Sequence, residues 1–308
     1  MIDVLIIGSG PAGCTAAIYA ARTGRSVKII AGPKYGGQLT ITSYVENYPG
    51  FVDPISGSVL MDQMRRQAER MQVEIITDSI VSVDFSQRRF ISLGESGVSY
   101  ESKILIVATG ANAKWLDLPG EKKYRGSGVS ACAVCDGFFF RDKDVAVIGG
   151  GNVAVEEAIF LTNFAKTVTL VHRRDKLRAE RIMQSRLFEN PKIEVMWNTK
   201  VVDILGDGNK VTNLQLVNTK SNFEIKKPID GVFVAIGHKP ETSLFKSGQL
   251  EIDENGYIVV DKTSTHTSVP GVFAAGDVCN PNYHQAVVSA GQGCMAALDA
   301  DKFLSANR

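Results

Sequence analysis

The chain has 308 residues, 44% of them hydrophobic, and its 34 Lys plus Arg against 33 Asp plus Glu leave a net charge of +1. That length and apolar content supply two cores rather than one, and the balanced charge gives no electrostatic footprint for nucleic acid or an anionic membrane. No run approaches the roughly 18 apolar residues of a membrane span. Five cysteines, an odd number without disulfide-scaffold spacing, suit a reducing cytoplasm.

The opening MIDVLIIGSG has no basic flank before its short apolar core, so it reads as a buried strand over 3–7 rather than a signal peptide. A glycine turn, an alanine-rich helix and a second apolar strand over 27–30 complete a strand-helix-strand unit with GxGxxG at Gly8, Gly10 and Gly13. Each glycine has a mechanical use there: a tight turn at Gly8, backbone approach to a pyrophosphate at Gly10, and close helix packing at Gly13. The N–H groups of the helix start then face the phosphates. No acid or base follows the second strand at Ala31.

Residues 58–72 (SVLMDQMRRQAERMQ) carry Leu60, Met64 and Ala68 on one face of a predicted amphipathic helix. Strand KILIVATGA, 103–111, ends in a Thr-Gly turn. Then comes SACAVCDGFF, 130–139, with the only Cys-x-x-Cys of the chain, Cys132 and Cys135. Such a pair is compatible with half a zinc site, a structural staple or a working dithiol. Zinc needs about four ligands, usually from a second close pair; Cys14, Cys279, Cys294 and the four histidines form none, so no metal site is expected.

Residues 145–175 repeat the first unit: a strand, Gly149, Gly151 and Ala154 as GxGxxA, a helix, and a strand over 168–171. Gly8 and Val27 map onto Gly149 and Val168 by the same displacement of 141 residues, so the chain holds two dinucleotide sites, one per domain. Where an NAD site places an acid on the ribose 2′-OH, the second copy reads HRRDKLRAE. Arg173, Arg174 and Arg178 there fit a 2′-phosphate, and hence NADP, through charge-assisted guanidinium–phosphate bonds. Near the chain end, strand GVFAAGDV over 271–278 ends in Gly-Asp, and a helix begins near Gln285. Strand ends of a parallel sheet are where open α/β folds bind ligands.

The motifs GSGPAG at 8–13, GGQLT at 36–40, VENYPG at 45–50, ATGA at 108–111, CAVCDG at 132–137, GGGN at 149–152, HRRD at 172–175 and GVFAAGDV at 271–278 cover essentially the whole chain. Together they resemble the low-molecular-weight thioredoxin reductases, bacterial-type flavoproteins among the pyridine nucleotide-disulfide oxidoreductases. The resemblance implies an α/β fold of two Rossmann-like dinucleotide-binding domains. An NADPH domain, 112–240, carries the Cys-x-x-Cys and is inserted into a discontinuous FAD domain made of 1–111 and 241–308.

Carried over residue by residue, it puts Gln38, Leu39, Asn47, Asp277, Gln285 and Ala286 on FAD beside Gly8, Gly10 and Gly13. It puts Gly149, Gly151, Asn152 and the three arginines on NADPH, and makes Cys132 and Cys135 a redox-active disulfide with Asp136 as its acid/base. It further implies thioredoxin or a related small disulfide protein as substrate, a homodimer and a cytoplasmic location. The chain departs from the family at Val153, where members carry Thr or Ser, and at His284, where they carry Arg or Lys. Two rival readings remain: an NADPH–flavin reductase serving an iron–sulfur partner, and a non-catalytic zinc or redox-sensing nucleotide-binding module.

Overall fold

The computed structural model describes residues 1–42, 45–86, 89–246 and 248–307. It divides into two compact units, Met1–Asn112 with Lys239–Arg308, and Ala113–His238. The first opens β1 (Ile2–Ile7), α1 (Pro11–Arg22), β2 (Val27–Ile30), α2 (Gly57–Arg70), β3 (Glu74–Ile76), β4 (Ile80–Asp84), β5 (Phe90–Gly94) and β6 (Ser99–Val107). After β7 (Ala111–Ala113) come α3 (Pro119–Tyr124), β8 (Val129–Ser130), α4 (Ala133–Asp136), β9 (Asp144–Gly149), α5 (Asn152–Leu161), β10 (Thr167–Val171) and α6 (Arg181–Glu189). Strands β11 (Ile193–Met196), β12 (Thr199–Gly206), β13 (Val211–Asn218), β14 (Glu224–Pro228) and β15 (Gly231–Ala235) finish the second unit. The chain then returns through β16 (His238–Pro240), which pairs with β7, to β17 (Val272–Ala274) and α7 (Ala286–Ala306).

In the first unit the strand order is β3-β2-β1-β6-β5-β4, with β17 also on β6. The pairs β1–β2, β1–β6, β2–β3 and β6–β17 are parallel, whereas the β4–β5 hairpin joins antiparallel. Strand β1 is apolar from Val4 to Ile7 because both its faces are covered there, while Asp3 at its outer end pairs with Lys103 at 2.8 Å. Val4 and Ile6 point into a core with Ala16, Ala17, Ala296 and Ala300 of α1 and α7. Leu5 and Ile7 point into another, with Leu105, Val107 and Val272. Small residues let the two helices approach: a Cβ at Gly293 would lie 2.1 Å from the Ala12 carbonyl oxygen.

The second unit has a parallel sheet, β11-β10-β9-β15-β8, and an antiparallel one, β12-β13-β14. Val145 and Val147 of β9 pack under α5, Ala146 and Ile148 toward the antiparallel strands. The internal repeat holds in the register itself, since Val4 pairs with Val27 and Val145 with Val168, again 141 residues on. No helix among the described residues is long and apolar enough to cross a membrane.

Candidate active site

The two glycine turns share a first glycine with no room for a side chain and an open glycine at the helix N-cap, although only Gly8 has a positive φ. Gly8 sits at φ 113°, a conformation that excludes most side chains, and its Cβ would lie 2.1 Å from the Ala108 oxygen. A Cβ at Gly13 would meet the Gly8 oxygen at 2.0 Å, so α1 can pack on the turn only without one. Gly10 is different: nothing lies within 4 Å of its Cβ position, although its backbone, φ −70°, suits any residue. The turn is thus open at the point where the N-terminus of α1 presents its N–H groups. In the second unit a Cβ at Gly149 would lie 2.4 Å from the Ala235 oxygen and 2.5 Å from the Ala154 Cβ, whereas Gly151, the N-cap of α5, is open. Both turns therefore have an uncovered backbone cradle at a helix start, which fits a pyrophosphate.

Around the first cradle the structure assembles residues from four stretches. Ser9 is buried, donates to the Ala31 carbonyl at 3.0 Å and accepts from the Gly36 N–H at 2.9 Å. It ties the irregular segment after β2 to the glycine turn, a role that the bare GxGxxG pattern does not reveal. Gln38 donates to Asn112, whose amide donates at 2.6 Å to Glu241, while Thr109 donates to the Glu241 carbonyl at 2.7 Å. Asn47 donates to Gln285 at 3.2 Å, bringing together two residues 238 apart in the chain. Gln285 is the N-cap residue of α7 and Ala286 its first residue. Asp277 follows Gly276 (φ 82°) and accepts from Ser289 at 2.8 Å. Leu39 sits half-buried against Gly57, at the start of α2. Burial lowers the pKa of His284, which stacks on Tyr257 at 6.3 Å.

At the second cradle, the Arg178 N–H donates to the Gly150 carbonyl at 2.7 Å. The Asn152 carboxamide bridges the glycine turn to Glu180, accepting from its N–H at 2.8 Å and donating to its carboxylate at 3.3 Å. Arg173, Arg174 and Arg178 are all exposed, and among the described residues no carboxylate pairs with them. Asp175 within the same loop is held by Lys220 at 3.1 Å. These guanidiniums beside the phosphate cradle remain free to take a 2′-phosphate, because folding has not used their charge. Val153 is exposed beside the turn and offers no hydroxyl.

Cys132 and Cys135 form a disulfide, their Cα atoms 5.3 Å apart. With both sulfurs bonded to each other there is no thiolate to give a metal, and among the described residues no group of three or more His, Cys, Asp or Glu lies together. Cys132 caps the one-turn helix α4, its Sγ accepting from the Cys135 N–H at 3.2 Å. Ser130 accepts from the Cys132 N–H at 3.0 Å and also bonds the Asp136 side chain. Asp136 stands at the N-terminus of the 3-10 turn Gly137–Phe140 but its side chain makes no capping bond; burial raises its pKa against the pull of Ser130, which suits a group that holds a proton. Val134, Phe138 and Phe139 lie exposed around the disulfide, Arg141 resting over the Phe138 ring at 5.3 Å. A second carboxyl, Glu157 on α5, accepts from the Ala133 N–H at 3.3 Å. Ser130 is a neighbour of Cys132 in the chain, whereas nothing in the sequence singles out Glu157; only the packing of α4 on α5 brings it to the cysteines.

Residues 2–293 match the family described as pyridine nucleotide-disulphide oxidoreductase. The chain is 52% identical over 304 residues to a thioredoxin reductase of Rickettsia felis, covering 98% of each. It superposes on a thioredoxin reductase of Giardia duodenalis with a TM-score of 0.95 at 42% identity, covering 99% of each chain. A protein of Pseudomonas fluorescens named glucosaminate ammonia-lyase is 50% identical over 98% of this chain and 95% of its own length.

Proposed function

The chain belongs to the pyridine nucleotide-disulphide oxidoreductase family, and from that footing we propose that it is an NADPH-dependent, FAD-containing thioredoxin-disulfide reductase. The observation that carries the proposal is the Cys132–Cys135 disulfide, in the same unit as an arginine-flanked nucleotide cradle. An ammonia elimination is redox-neutral and has no use for a dithiol, so the disulfide favours the reductase among the names borne by relatives. A reductase serving an iron–sulfur partner would have no use for it either.

In this reading Met1–Asn112 with Lys239–Arg308 is the FAD domain, and Ala113–His238 the NADPH domain. Gly8, Gly10, Gly13 and the start of α1 hold the flavin pyrophosphate, with Gln38, Leu39, Asn47, Gln285 and Ala286 around the remainder. Asp277 accepts a hydroxyl bond, which an ionised carboxylate does without a proton of its own. Gly149, Gly151 and Asn152 form the NADPH cradle, and Arg173, Arg174 and Arg178 grip the 2′-phosphate. When bound, the nicotinamide supplies a hydride and the flavin relays its electron pair.

The chain's own chemistry begins with the cysteines. Two electrons break the Cys132–Cys135 disulfide bond and a proton from Asp136 caps the Cys135 sulfur. Cys132, as thiolate, attacks a disulfide sulfur of the partner and expels that protein's other sulfur as thiolate. Cys135 then returns its proton to Asp136 and its sulfur attacks that of Cys132, re-forming the internal disulfide and expelling the partner's second sulfur as thiolate; protons from solvent complete the partner's two thiols. The exposed Val134, Phe138 and Phe139 offer a protein substrate an apolar landing around the exchanging sulfur. Thioredoxin or a related small disulfide protein is the partner, the enzyme works as a homodimer, and its place is the cytoplasm, which keeps Cys14, Cys279 and Cys294 as thiols.

The test is NADPH oxidation by the purified yellow protein with an oxidised thioredoxin. Stoichiometric appearance of two partner thiols per NADPH supports the proposal; NADPH oxidation without partner thiols, or none at all, overturns it.

A further inference from the structure

We propose that Glu157 is a redox-linked positioning residue, whose carboxyl takes up or keeps a proton when the Cys132–Cys135 disulfide is reduced to a thiol–thiolate pair. It rests on the reading of that disulfide as redox-active. Glu157 lies on α5, which packs against α4, and its Oε1 accepts from the N–H of Ala133, the fully buried residue that follows Cys132. Its Oε2 is shut off from solvent and has no hydrogen-bond partner among the described residues. A buried carboxylate oxygen without a donor is costly, whereas a carboxylic acid there loses little. The carboxyl is thus held at the cysteine turn by one weakening contact, in surroundings that favour its neutral form.

Other charges do not explain the arrangement. The ionisable groups on α5 and the elements packed against it are Glu156, Asp136 of α4, Asp144 of β9, and Arg181, Arg186 and Glu189 of α6; β10 and β15 carry none. No cation among them pairs with Glu157. Burial pushes its pKa up to about 7, the Ala133 N–H pulls the other way, and Glu156 adds a further upward push. Asp136 shares the raised direction but is bonded to Ser130 instead.

Linkage follows. A negative sulfur at α4 increases the proton affinity of a carboxyl at the same turn, and an ionised Glu157 equally disfavours a thiolate. The balance is simple: the S–S bond accepts two electrons from a dithiol reagent, one proton ends on a cysteine sulfur, and a second stays on Glu157 instead of leaving to solvent. Below neutrality Glu157 is neutral in both redox states and has no effect. Above it, reduction must draw a proton into the carboxyl or suffer the repulsion.

The experiment equilibrates the flavin-loaded enzyme and its Glu157→Gln variant with dithiothreitol redox mixtures at pH 5.5, 7 and 8.5, and counts alkylated Cys132 and Cys135 by mass. The amide keeps the bond from Ala133 but cannot ionise. The two proteins should coincide at pH 5.5 and diverge upward, the parent holding about five- to tenfold less dithiol at pH 8.5, the consequence of about one pKa unit of coupling. No difference at any pH, or the same offset at all three, overturns the proposal. If neither protein's cysteines can be reduced, the redox reading of the disulfide falls and this proposal with it.

Should the variant not fold, infrared difference spectra of the parent at pH 7 with ¹³C-labelled glutamate decide the matter. A gain of labelled protonated-carboxyl signal on reduction supports the proposal, and its absence overturns it.

Discussion

Asn152 and Glu180 hold each other reciprocally, the backbone N–H of Glu180 donating to the Asn152 carbonyl at 2.8 Å and the Asn152 amide donating to the Glu180 carboxylate at 3.3 Å. Through that pair the second glycine turn fixes the loop that carries the arginines. Asn152→Ala should therefore weaken NADPH binding by about 0.5–1.5 kcal/mol, the worth of an ordinary hydrogen bond, with kcat little changed. A kcat loss at unchanged KM would show that Asn152 acts in the chemistry instead.

The unpaired guanidiniums make a sharper expectation. Replacing Arg173 and Arg174 together by Ala should cost NADPH binding at least about 1.5–3 kcal/mol, the scale of hydrogen bonds to a charged group, and leave NADH binding nearly unchanged. Titration of both nucleotides checks it; equal loss for the two would remove the 2′-phosphate from that loop.

The two cysteines should separate in single variants. Cys135→Ser leaves Cys132 able to attack but with no resolving thiol, so it should trap thioredoxin as a stable mixed disulfide. Cys132→Ser should trap nothing, and neither variant should turn over. Non-reducing electrophoresis reads the result, and a trap formed only by Cys132→Ser would reverse the assignment.

Gly10 and Gly13 should fail differently on substitution by Ala. At Gly13 the new methyl meets the Gly8 carbonyl at 2.0 Å, so the protein should be destabilised by about 1–3 kcal/mol or more, as overpacking is. At Gly10 the methyl points into open space on a backbone that accepts it, so the apoprotein should melt as the parent does while holding FAD more weakly. Thermal melts with and without added FAD distinguish the two cases.

Asp78 gives a pH expectation. Its carboxylate accepts from the hydroxyls of Ser96 at 2.6 Å and Tyr100 at 2.9 Å and from the Ser79 and Ser96 N–H groups, which lower its pKa to about 2 despite desolvation. The folded value lies below the ordinary 3.8, so the stabilisation is complete above about pH 4 and is lost as pH falls toward 2. Asp78→Asn should be less stable at neutral pH and show a shallower loss on acidification, measured by urea unfolding from pH 6 to 2.5. Parallel curves for the two proteins would discount Asp78 as the titrating group.

Much of the frame was legible because it rests on local rules. The strand-glycine-helix-strand units read from sequence as 3–7 and 27–30, or 145–175, form at those places because a short β-branched apolar run bounded by a glycine turn suits a strand buried on both faces. Boundaries slipped where pairing changes. The run 103–111 became Ser99–Val107, since the outer half of β6 alternates buried and exposed residues against the β4–β5 hairpin while its inner half lies between β1 and β17. Strand 271–278 shrank to Val272–Ala274, the three residues that reach β6.

What stayed hidden was polar and non-local. Glu121 of α3 is fully buried, accepts from the Leu116 and Asp117 N–H groups at 2.8 and 2.9 Å, and pairs with Arg125, which lies over Trp115 at 3.9 Å. Arg125 is therefore a structural cation. Asn47 and Gln285, or Glu157 and Ala133, meet only through tertiary packing, for which a single sequence holds no period or spacing.

The split of the first unit also bears on how the protein comes off the ribosome. Ala113–His238 is continuous and can close its parallel sheet as soon as it has emerged. Met1–Asn112 has no such freedom: the inner edge of β6 awaits β17, and α1 awaits α7, both delivered last. Through most of synthesis an incomplete nucleotide fold must therefore keep an apolar face and an open strand edge from aggregating. Truncation before Ala286, which removes α7, should consequently disable the earliest-made domain rather than the nearest one in sequence.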